Sequence, residues 1–142
     1  MIAHLHRIRK ERLNGDRGFT LTELLVVIVI IGILVAIAIP VFLSQREAAF
    51  ARSAEADVRN AIPAIETYYA EKNAYPIDFA QTESAMTPTP ITDLQINVSP
   101  GVTLTYDVTG TTYTLSAVHA ELSGRTWNYS STSSKISETS TP

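Results

Sequence analysis

The sequence predicts an α+β protein in which one long N-terminal helix packs on a small antiparallel sheet of three to four strands. Three observations carry that prediction: an uncharged apolar run from Leu24 to Leu43, an apolar stripe at helical spacing after it, and period-two alternation beyond residue 101. The first 18 residues carry five basic and two acidic side chains, a charge of +3. The rest holds six basic and twelve acidic, a charge of −6. Such an acidic body, with Arg46, Arg52, Arg59, Lys72, Arg125 and Lys135 scattered, lacks the clustered cations that phosphate binding needs, so no direct nucleic-acid binding is expected. The 142 residues contain no cysteine, which removes thiol catalysis, thiolate metal sites and disulfides together.

The run Leu24 to Leu43 is 20 residues long. As a helix it covers about 30 Å, the thickness of a bilayer's hydrocarbon core. The Lys/Arg excess on the short N-terminal flank predicts a cytoplasmic N-terminus and an extracytoplasmic C-terminus. Between Arg17 and Arg46 the single ionisable residue is Glu23. A carboxylate there is costly in lipid and calls for a partner, and none is expected nearby in sequence. Gly32 and Pro40 weaken the helix inside the span, and a bend is expected near Pro40.

Phe50, Ala54, Val58, Ile62, Ile65 and Tyr69 then recur every three to four residues, the stripe of an amphipathic helix. Arg46, Glu47, Arg52, Glu55, Asp57, Arg59 and Glu66 are assigned to its solvated faces, with Glu55 and Arg59 in the favourable i, i+4 order. Pro63 predicts a second bend or a local loss of hydrogen bonding. The helix should end near Asn73, because Tyr75 precedes Pro76.

Residues 76–100 read as a connecting loop, with Thr87-Pro88-Thr89-Pro90 extended and Leu94 to Val98 as the candidate fourth strand. In 101–130, Val102, Leu104, Tyr106 and Val108 alternate with polar residues. Tyr113, Leu115 and Ala117 follow a turn at Gly110, and Trp127 and Tyr129 follow one at Gly124. The apolar face of this sheet needs the helical stripe as its cover. Residues 131–142, rich in Ser and Thr, are expected to be a flexible tail.

Arg17-Gly18-Phe19-Thr20-Leu21-Thr22-Glu23-Leu24-Leu25 resembles the processing site of type IV pilins and the related pseudopilins of type II secretion. The likeness covers about the first third of the chain, and Tyr68 to Pro76 is similar to the end of the long pilin helix. The resemblance implies that residues 1–18 are a leader removed by a membrane prepilin peptidase between Gly18 and Phe19, with N-methylation of Phe19. Residues 19–45 would then be the transmembrane and assembly half of the helix and 46–75 its amphipathic half. It implies that Glu23 pairs with the new amino group of a neighbouring Phe19, and that Gly32 and Pro40 bracket a stretch that unwinds in the filament.

The partners so implied are further copies in a helical filament, an inner-membrane assembly platform, minor pilins, and lipid before assembly. The end state is an extracellular pilus serving adhesion, motility or DNA uptake. A pseudopilin of type II secretion is the alternative. The missing cysteine pair departs from the disulfide-closed loop of many Gram-negative major pilins, and the ending is similar to cysteine-free pilins of actinobacteria. Two readings outside this family are a secretory signal cut after Ala36-Ile37-Ala38 and an uncleaved signal anchor.

Catalysis and cofactors are not expected. His4 and His6 lie in the leader, His119 reads as a structural residue at a strand end, and Asp78, Glu83, Asp93 and Asp107 match no calcium-loop spacing. Asn97-Val98-Ser99 and Asn128-Tyr129-Ser130 match the glycosylation sequon.

Overall fold

The computed structural model describes residues 18–83, 86–87, 91 and 93–141. Residues 1–17 of the expected leader, with His4 and His6, and Pro88 to Pro90 of the connecting loop lie outside the described residues. The element order is α1 (Leu21–Lys72), β1 (Phe79–Gln81), β2 (Met86–Thr87), β3 (Val102–Thr109), β4 (Thr112–His119), β5 (Arg125–Ser130) and β6 (Lys135–Ser140). The chain divides into two units, Met1–Phe42 and Leu43–Pro142.

In the first unit, no described residue outside α1 covers it. Its large apolar side chains are exposed all round, as at Ile28 (63%), Leu34 (61%) and Phe42 (66%). The helix continues without a break from Leu21 through Gly32, Pro40 and Pro63 to Lys72.

In the second unit the fold is α+β. The remainder of α1 lies on an antiparallel sheet of order β2-β1-β3-β4-β5-β6. Ala54, Val58, Ala61 and Ile65 are wholly buried and share one core with Leu104, Tyr106, Leu115, Ala117 and Trp127. The alternation of β3 and β4 follows the register Val102↔His119 to Thr109↔Thr112, closed at Gly110, whose φ of 63° suits a tight hairpin. Tyr rings fill one end of the core: Tyr69 stacks on Tyr75 at 4.3 Å, and Tyr106 lies 5.5 Å from Tyr113 and 4.9 Å from Phe79. The helix stops where Asn73 turns left-handed (φ 52°) and donates its N–H to the Tyr69 carbonyl at 2.8 Å.

The structure departs from the expected fold in four places. The sheet has six strands, not three or four. Part of the loop 76–100 forms β1 and β2: Phe79 pairs with Tyr106 in register and stacks on its ring, and Asp78 Oδ1 accepts the Val108 N–H at 2.7 Å. Leu94 to Val98 alternates in burial as a strand would, yet it joins no ladder, and Leu94, Ile96 and Val98 enter the core from an irregular segment. The expected flexible tail is largely β6, paired with β5 from Ser130↔Lys135 to Arg125↔Ser140. It is held by Arg125 Nε donating to Glu138 Oε1 at 2.6 Å and by the Thr141 N–H on the Gly124 carbonyl at 2.7 Å.

Candidate functional site

The segment that opens α1 has the chemistry most in need of explanation. Thr20 lies just before the helix and Glu23 in its first turn. The Glu23 carboxylate accepts the Thr20 N–H at 2.8 Å and the Thr20 hydroxyl at 2.9 Å, while Thr20 Oγ1 accepts the Glu23 N–H at 3.2 Å. This is a reciprocal capping box, which satisfies otherwise orphaned N–H donors of the helix start. The expectation that Glu23 has no neighbour in sequence is corrected: Thr20 supplies one. The T-x-x-E spacing carried that signal.

Phe19 is 81% exposed. At Gly18 an added Cβ would meet nothing within 4 Å, and the same holds at Gly32. Among the described residues, therefore, no packing asks for glycine at either position. Among the described residues, α1 is the one helix long and apolar enough to cross a membrane. Exposed on every side in the single chain, its apolar half needs lipid or other helices as its solvent. The structure places Gly18, Phe19 and Glu23 together at the start of α1, with Gly32 and Pro40 further along the same helix.

In the head, the polar groups near the core are mostly committed to each other. Asp57 was assigned to a solvated face, yet it is only 4% exposed. Its Oδ2 accepts the Ser99 N–H at 2.7 Å and its Oδ1 the Ser99 hydroxyl at 2.9 Å, tying the irregular segment to the helix. Glu66 also faces the sheet and accepts the Tyr113 hydroxyl at 2.8 Å. Burial, and then the Glu66 carboxylate, push the Tyr113 phenol well above its ordinary range; burial does the same for Tyr106.

His119 ends β4, stacks on Phe50 at 4.2 Å, and its Nδ1 accepts the Glu121 N–H at 3.1 Å. Gly101 (φ 78°) lies so close that a Cβ there would stand 3.1 Å from the ring. Asp57 and Glu66 were hidden from sequence reasoning because their partners lie 42 and 47 residues away. Among the described residues no group of three or more His, Cys, Asp or Glu is arranged to hold a metal ion.

Residues 13–39 match the family described as "Prokaryotic N-terminal methylation motif". The chain is similar to the type II secretion system core protein G of Pectobacterium carotovorum, 38% identical over 61 residues, which cover 43% of this chain and 39% of that protein. It is similar to the type IV major pilin protein PilA of Myxococcus xanthus, 40% identical over 74 residues, 51% of this chain and 33% of that protein. The core protein G of Escherichia coli is 36% identical over 63 residues, 44% of this chain and 43% of that protein. Each match therefore spans less than half of the relative's own length. No solved structure matches the chain significantly.

Proposed function

We propose that this chain, whose residues 13–39 match the N-terminal methylation motif, is a structural subunit of a type IV pilus. The observation that carries the reading is an apolar helix with no cover of its own, opened by one acid beside an exposed Phe19. A membrane prepilin peptidase cuts between Gly18 and Phe19 and methylates the new amino group. Until assembly, the helix is anchored in the membrane with its N-terminus cytoplasmic. Copies then pack helix against helix into a filament built with an inner-membrane platform and minor pilins. The chain is a building block rather than an enzyme, as its relatives are.

The capping box gives Glu23 a resting state in the unassembled chain, where its charge is met by Thr20. In the filament, the methylated ammonium of a neighbouring Phe19 approaches the same carboxylate. A pair excluded from water must be matched, so only the register that brings ammonium to acid is stable. The unpaired alternative sets the specificity of stacking. Gly32 and Pro40, with no intrachain packing role shown for Gly32, allow that segment to unwind under load. Adhesion, motility or DNA uptake are the roles such a fibre serves.

The similarity to core protein G favours a second reading, a pseudopilin of type II secretion. A deletion strain separates the two: loss of long surface fibres supports the pilin, and intact fibres with lost protein secretion support the pseudopilin. The pairing itself is tested by Glu23→Ala, which is expected to cut filament yield at least ~10-fold with the chain still in the membrane. Unchanged yield and register would rule the pairing out.

A further inference from the structure

The face of the sheet turned away from α1 is polar and rich in hydroxyls. Register places Asp107, Thr114, Ser130 and Lys135 in one row across β3 to β6, and Thr105, Ser116, Asn128 and Ser137 in the next. These side chains alternate with Tyr106, Leu115, Trp127 and other core residues, so they stand on the outer face. A groove of about 350 Å³ is let into that face, lined by Asp107, Thr114, Ser116, Asn128, Lys135 and Ser137 among others.

The charges here differ from those elsewhere on the sheet. Strands β3 to β6 hold four Asp, Glu, Lys or Arg residues. Arg125 and Glu138 pair with each other. Asp107 and Lys135, among the described residues, have no such partner, and both line the groove. They are three strand spacings apart, about 14 Å. Between them, Thr114, Ser116 and Ser137 present hydroxyls that make no hydrogen bond within the described residues.

From this we infer that the outer groove of the head binds a short, uncharged oligosaccharide. A carboxylate only accepts, an ammonium only donates, and a hydroxyl does both. A ligand that satisfies such a row must offer donors and acceptors at each step, which a run of sugar hydroxyls does and a hydrocarbon or a polyanion does not. Opposite charges at the two walls cancel, which favours a neutral ligand over a uronic or phosphorylated one. Rigid strands hold the groups in place, so little ordering cost falls on the protein. The one ring in the lining, Tyr129, packs towards Tyr113 in the core rather than across these rows, so single-site affinity is weak. The inference concerns the head alone and stands whether or not the chain polymerises.

The test is amide NMR of the full chain in sugar-free zwitterionic micelles, titrated separately with chitotriose, maltotriose, cellotriose and, as the polyanion control, a short heparin fragment. At least one of the three neutral sugars should give saturable shifts confined to the outward residues of β3 to β6, with a Kd of about 1 mM. Asp107→Ala should weaken it about 10-fold, as expected for the loss of hydrogen bonds to a charged group. Ser116→Tyr, which fills the groove, should abolish it. Unchanged Trp127 emission in both exposed-face variants would verify the fold. The inference is overturned by no saturable response to any of the three sugars at about 20 mM, by equal responses in the variants, or by a groove that answers only to heparin.

Discussion

Asp57 and Tyr106 carry opposite lessons about buried polar groups. Asp57 is nearly wholly buried and doubly bonded to Ser99, so Asp57→Ala leaves the Ser99 N–H without its acceptor. It should destabilise the head by about 3 kcal/mol, read as denaturant unfolding of the full chain through Trp127 fluorescence. A change below about 0.5 kcal/mol would contradict the pinning role. The Tyr106 hydroxyl is buried and has no hydrogen-bond partner among the described residues. Tyr106→Phe removes that unmet group and keeps the ring against Phe79, so it should raise stability by about 1 kcal/mol in the same assay. A loss of that size would mean that the hydroxyl has a partner in solution. The sequence showed Tyr106 as an inward residue through its period of two. It could not show whether the hydroxyl was met, because that depends on tertiary neighbours. Glu23 and Thr20 were legible in principle, since their spacing is local.

Among the elements, the helix and the central strands β3 to β5 were the readable ones, because their periodicity is strong and their turns carry Gly110 and Gly124. The short β1, β2 and the polar β6 were not. β6 has one half-buried apolar residue, Ile136, and its place is set by the ladder to β5 and by the Arg125–Glu138 pair. Nothing in its own sequence alternates clearly enough to announce a strand. The Arg125 guanidinium holds the Glu138 carboxyl below the usual carboxylate range. A carboxyl depressed in the folded state contributes stability in full above its ordinary value, and loses it as pH falls through the depressed one. Amide exchange of β6 should therefore speed up relative to β4, after correction for intrinsic rates, as pH falls below about 4. Glu138→Gln should make the ratio of the two insensitive to pH over that range. A pH-independent ratio in the unmodified chain would show that the ladder alone holds the strand.

At the scale of the molecule, the chain joins a helix that cannot satisfy its own apolar surface to a head that can. The head's core runs from Ala54 to Trp127 and is closed by its own sheet, while the residues of α1 before Leu43 leave their apolar side chains bare. That division was legible from composition and hydropathy, because membrane-length apolarity is a property of sequence alone. The roles proposed for Gly18, Phe19 and Glu23 involve other molecules, and no fold of a single copy displays such partners. The open space around Gly18 is a case in point. The central claim, a subunit matured at Gly18 and polymerised through its new N-terminus, is tested most directly by mass spectrometry of filaments sheared from the cell surface. The account predicts this chain in the fibre with N-methylated Phe19 as its first residue. A chain that begins at Met1 or at Ile39, or its absence from the fibre, would contradict it.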